Sequence, residues 1–108
     1  MNAPETVSII NRFFLALDDL KAMGIIRGKK TFTDRYGIDR WNLNKLQKEP
    51  EKWPFDSAWI VYLCGDFGVS PKWLILGVGK RFDRNPESPD LKRVRRVYEV
   101  NKKVNNDN

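Results

Sequence analysis

The residues able to do chemistry are concentrated in one stretch of this chain. Residues 27–48 hold Arg27, Lys29, Lys30, Arg35, Arg40, Lys45 and Lys48 against only Asp34 and Asp39, a net charge of +5. Cations at that density attract polyanions, because neutralising phosphates releases their condensed counterions. Among them stand Trp41, Asn42 and Asn44, a flat apolar ring and two carboxamides able to meet the edges of nucleobases. The other regions are less one-sided: residues 1–26 carry −1, residues 49–79 carry −2, and residues 80–108 carry +4, mostly in Lys92, Arg93, Arg95 and Arg96. The whole chain is at +6 with a pI near 9.6, a sign that suits nucleic acid. The C-terminal charge run reads equally as a solvated face.

The inventory points away from catalysis. There is no histidine, and Cys64 is the single cysteine. Zinc sites built on His and Cys, Ser-His-Asp and Cys-His nucleophiles, and an intrachain disulfide are therefore excluded. Asp18 with Asp19, and Glu49 with Glu51, lack an apolar setting that would raise a carboxyl pKa and read as surface charge. Gly77-Val78-Gly79-Lys80 lacks the spacer, the following Ser or Thr and the preceding strand of a phosphate loop. No metal, cofactor or small-molecule ligand is expected. At 108 residues, 41% apolar and with a mean hydropathy of −0.58, the chain has room for one domain. No apolar run approaches the roughly 20 residues that a membrane span needs, so the expected setting is cytoplasmic and soluble.

Five helices must position the basic cluster. Ile9, Ile10, Phe13, Phe14, Leu17 and Leu20 recur at helical spacing, with Thr6 or Ser8 as caps and Gly24 as a stop. A two-turn helix follows, with Phe32 and Tyr36 facing inward and Gly37 as its left-handed cap. Asp39 caps a third helix through Leu43 and Leu46 to Pro50. A fourth opens at Asp56 or Ser57 and buries Ile60, Leu63, Cys64 and Phe67; Ser70 and Pro71 start a fifth, anchored by Trp73, Leu74 and Leu76. Trp53 and Trp59 read as core or core-rim residues. The domain should span residues 1–82, followed by a proline-containing linker over 83–90 and a charged helix over 91–104. Leu91, Val94, Val97 and Tyr98 form a narrow apolar stripe on that last helix, and residues 105–108 read as a disordered tail.

A two-turn helix, a glycine turn, an apolar plug at Ile38 and an Asp-capped helix make the geometry of a helix-turn-helix, whose second helix fits the major groove. With Leu43 and Leu46 inward, Trp41, Asn44, Lys45 and Lys48 turn to the opposite face, and Arg40 and Asn42 lie at its margins. Trp41 has two possible positions, in the groove or packed beneath the loop.

At residues 32–46, FTDRYGIDRWNLNKL, and 67–79, FGVSPKWLILGVG, the chain resembles the lambda-repressor-like helix-turn-helix regulators of bacteria and phages, the xenobiotic-response-element (XRE) family. The resemblance covers about residues 8–81. It implies an all-α, five-helix domain whose third helix reads duplex DNA and whose second helix touches phosphate. On that reading Arg40, Trp41, Asn42, Asn44 and Lys45 contact bases, while Lys29, Lys30, Thr31, Arg35 and Lys48 contact phosphate. Lys29 stands where many members carry Gln, Thr33 where many carry Ala, and Glu49 where Gly is usual.

The expected function is a sequence-specific transcriptional regulator, in particular a repressor, acting as a homodimer on double-stranded DNA. Leu91, Val94, Val97 and Tyr98 are the dimerisation candidates, with DNA contact by the Arg-rich face of the same helix as the other possibility. The competing function is a protein-interaction module, such as an antitoxin or anti-repressor, whose helix-turn-helix is secondary.

Overall fold

A computed structural model describes residues 1–87; the expected helix at 91–104, its stripe Leu91, Val94, Val97 and Tyr98, and the tail lie outside the described residues. The first element, α1 (Pro4–Ala22), begins before the caps expected at Thr6 or Ser8. Pro4 supplies a preset helical φ in the first turn, where no N–H partner is needed. Ser8 instead returns its hydroxyl to the Pro4 carbonyl at 3.2 Å. One face of α1 buries Ile10, Phe13, Phe14, Leu17 and Leu20, the i, i+3, i+4, i+7 stripe read from the sequence.

The next two helices are α2 (Lys29–Tyr36) and α3 (Arg40–Lys48), joined through Gly37, Ile38 and Asp39. Gly37 has φ +64°, the left-handed conformation that stops α2 within a single residue. The Asp39 carboxylate then accepts from the N–H groups of Trp41 at 2.8 Å and Asn42 at 3.4 Å, fixing the start of α3. After a turn at residues 49–57 come α4 (Ala58–Phe67) and α5 (Pro71–Leu76), and the Ser70 hydroxyl caps α5 through Trp73 N–H. The architecture is all-helical among the described residues, with one isolated antiparallel bridge between Val69 and Phe82.

Phe13 organises the core. Its ring meets Phe14, Phe32 and Phe55 edge-on, with centroids 5.1, 5.7 and 5.5 Å away, and stacks on Trp59 at 5.8 Å. Edge-to-face arrangements set the positive rim of one ring against the negative face of the next. Leu43 and Leu46 complete the floor beneath α3. Arg12 joins α1 to the end of α5 by donating from Nε to the Leu74 carbonyl and from Nη2 to the Ile75 carbonyl, at 2.8 and 2.9 Å. These carbonyls carry the negative end of the helix dipole.

Three sequence expectations change. Leu76, expected as an anchor, is 68% exposed, and Ile75 and Val78 beside it are also exposed. The six-residue α5 has too few turns to bury both of its flanks, so Trp73 and Leu74 alone anchor it. Cys64 and Ile60 are half-buried rather than fully inside, because the inward line of α4 runs through Leu63, Asp66 and Phe67 and leaves them on its flanks. The chain also stays on the domain beyond residue 82. Ser70 N–H donates to Arg81 O at 2.8 Å, Asp83 N–H to Gly68 O at 2.9 Å, and Arg84 Nη2 to Gly65 O at 2.9 Å. Backbone groups of the α4–α5 junction are satisfied by this return, so Asp83 and Arg84 belong to the folded unit and not to a linker.

Candidate nucleic-acid interface

Helix α3 presents two unlike sides. Leu43 and Leu46 are buried, while Arg40, Trp41, Asn42, Asn44, Gln47 and Lys48 are exposed. Trp41 is 70% exposed, which places it on the outer face and not under the loop. Three of the five expected base-contacting side chains, Arg40, Trp41 and Asn42, thus stand open at the capped end of the helix, where the Asp39 bonds hold the backbone.

Helix α2 adds one side chain to that face. Lys29 Nζ donates to Asn44 Oδ1 at 2.7 Å and to Gln47 Oε1 at 2.6 Å, so a cation from α2 is fastened to two amides of α3. Each amide oxygen pinned in this way leaves its NH2 group directed elsewhere as a donor. Gln47 was not anticipated. Its place three residues after Asn44 puts it beside that residue on the helix surface, which is the signal that identifies it.

The other expected phosphate contacts separate. Lys30 pairs with Asp34 at 2.7 Å on the exposed side of α2. The Thr31 hydroxyl accepts from Arg27 N–H at 3.1 Å and serves the turn before the helix. Arg35 lines a cleft with Thr31, Asp34 and residues 24–27 to which α3 contributes nothing. Its Nε and Nη2 atoms are shielded from solvent without a hydrogen-bond partner, and its guanidinium carbon lies 5.9 Å from the Tyr36 ring centre. Thr31 and Arg35 therefore do not join the α3 face. At about 100° per residue, Thr31 and Arg35 lie about 200° and 240° around α2 from Lys29, on its opposite flank.

Lys45 behaves differently from its neighbours on α3. It is half-buried, and its ammonium lies 4.2 Å from the centre of the Trp53 ring and 5.9 Å from that of Trp41. A cation over an indole face is attracted by the ring quadrupole. Trp53 itself is fixed from three directions. Its Nε1 donates to Glu49 Oε2 at 3.1 Å, and Lys52, 3.7 Å from the same carboxylate oxygen, lies 5.1 Å over the ring. Asn2, ahead of α1, donates from Nδ2 to the carbonyls of Pro50 and Trp53 at 2.8 and 2.6 Å. The turn after α3 is thus a built platform. Sequence periodicity has no means of finding it, because Trp53 lies outside any helix.

A second polar group lies behind α2. Tyr36 stacks on Tyr62 with ring centres 4.1 Å apart and donates its hydroxyl to Asp66 Oδ2 at 2.6 Å. Asp66 is buried. Burial foremost, then the hydrogen bond to the Asp66 carboxylate and its charge, pushes the Tyr36 phenol far above its ordinary range, with Arg35 acting in the opposite sense. Burial, followed by the charge of Asp83, also pushes the Cys64 thiol up to about 11. Both groups stay protonated at neutral pH.

No family model, curated protein or solved structure matches this chain. Among the described residues no group of three or more His, Cys, Asp or Glu side chains could hold a metal ion, and no helix is long and apolar enough to cross a membrane.

Proposed function

We propose that this chain is a sequence-specific duplex-DNA-binding regulator of the lambda-repressor-like helix-turn-helix kind, a cytoplasmic repressor that occupies an operator as a homodimer. The observation that carries this reading is the outward face of α3. Arg40, Trp41, Asn42 and Asn44 stand exposed on a helix whose other side is locked by Leu43 and Leu46, with Lys29 reaching across from α2. A helix so presented can enter a major groove, where amides pair with adenine and guanidinium with guanine. Lys29, Lys30 and Lys48 would set register on phosphates, which position a protein without reading sequence. Lys45, drawn towards Trp53, would work at the edge of the groove.

Selection from a random duplex pool, followed by titration of the enriched and scrambled duplexes at two salt concentrations, tests this. The expected result is an enriched motif bound about a thousandfold or more tighter than scrambled DNA. Asn44→Ala should cost about 1–3 kcal/mol at one base pair, whereas Lys30→Ala should weaken all sequences alike and lower the salt slope by about one. No enrichment, or equal effects of the two substitutions, overturns the reading.

One observation favours a protein-binding module instead. Ile75, Leu76 and Val78 form an exposed apolar group at the end of α5. That reading predicts weak DNA binding without sequence preference.

A further inference from the structure

We infer that the cleft between α3 and the turn at residues 49–53 holds an unpaired nucleobase together with its phosphate. This binding mode stands apart from the duplex contact proposed above and does not rest on it.

The cleft is open to solvent, has a volume of about 390 Å³ and is lined by Trp41, Asn44, Lys45, Lys48, Glu49 and Trp53. Two features determine what it can take. First, the Trp41 indole is largely exposed, so a wide aromatic face is open to solvent. In a duplex the faces of the bases are hidden by stacking and only their edges are presented. An indole face is matched by a base that has left the stack, and aromatic stacking of this kind accepts any base because every base has a π-face. Second, the Lys45 ammonium is held beside both indoles and has no carboxylate partner among the described residues. Its N–H donors are available to a phosphate adjoining the stacked base. Lys48 adds a further cation at the rim.

The one carboxylate in the cleft does not oppose an anion. Glu49 is bonded to Trp53 Nε1 and sits 3.7 Å from Lys52, so its charge is already met. Asn44 brings a carboxamide that can bond a base edge once the ring is stacked. A peptide anchor would call for an enclosed apolar pocket; here the apolar surface consists of ring faces set around a cation, which suits a nucleotide.

The test uses the full chain and three labelled probes: a short oligothymidylate, an abasic deoxyribose-phosphate oligomer of equal length and charge, and a duplex of the same length. Anisotropy and tryptophan emission are followed at two salt concentrations. The oligothymidylate should bind about tenfold tighter than the abasic oligomer and quench tryptophan emission. Trp41→Ala should reduce it to the abasic level with an unchanged melting temperature, and Trp53→Phe should retain most of the preference because a ring remains. Equal binding of the two single strands, or a Trp41→Ala variant that keeps the preference, overturns the inference. Loss of duplex selectivity with this preference intact would remove only the duplex reading, and the reverse would remove only this one.

Discussion

Tyr36, Tyr62 and Asp66 behind α2, and Trp41, Lys45 and Trp53 along α3 and the turn after it, use the same components, two aromatic rings and one charged side chain, in opposite ways. In the first group the rings lie parallel 4.1 Å apart and the carboxylate is buried with its phenol donor. Every strong partner is internal. In the second the ammonium rests against ring faces without a carboxylate partner among the described residues, and one ring is open to solvent. A closed group contributes to stability because its buried polar atoms pair with each other, so that losing one partner strands the other away from water. An open group contributes little to stability and keeps its bonding capacity for a ligand. The difference separates the residues that hold this domain together from those that the proposed binding modes assign to a ligand.

That separation can be broken by substitution. Phe13→Ala should cost about 3–5 kcal/mol in denaturant unfolding, since the ring is fully buried at the centre of four others. Asp66→Ala should cost about 1–3 kcal/mol by stranding the Tyr36 hydroxyl, while the DNA binding proposed for α3 should be unchanged in the folded protein. If oligothymidylate binding fell with Asp66→Ala as steeply as with Trp41→Ala, the two groups would be one. Gly37→Ala should cost roughly 1–2 kcal/mol, all of it from the positive φ, because an added Cβ there meets no atom within 4 Å.

The alkaline limb sharpens the comparison without a ligand. Tyr36 has its pKa raised in the folded state, so unfolded chains lose this proton first as pH rises. Stability from this group is complete below the ordinary phenol value of about 10 and declines above it. Cys64, raised to about 11, acts in the same direction from its own ordinary value upward. Tyr36→Phe should flatten the alkaline decline measured by thermal melting and leave the part due to Cys64. Trp41→Ala should not alter it. The smallest effect belongs to Lys30→Ala, within about 0.5 kcal/mol in the same melts, because both partners of the Lys30–Asp34 pair are exposed.

Much of the fold is legible locally. The stripe from Ile10 to Leu20, the Gly37 stop, the Asp39 cap and the Leu43–Leu46 pair act within a turn or two of chain, and their periodicity and capping chemistry are written in adjacent residues. The exposure of Arg40, Asn42 and Asn44 follows from the same arithmetic. Trp41 could not be placed that way, because a tryptophan at the first turn of a helix can lie over or under a following loop.

Composition and spacing determined that the described residues are helical, where their five helices fall, and that positive charge gathers around α2 and α3. Tertiary structure alone decided that Lys29 ties α2 to Asn44 and Gln47, that Arg35 turns away from α3, that Asp66 is buried under Tyr36, and that Lys45 rests on Trp53. It also returned residues 81–84 to the α4–α5 junction. The physical reason is range. Helix periodicity and caps are set by neighbours in sequence, whereas the partner of a long charged side chain depends on which distant group the packed core brings within about 3 Å of it.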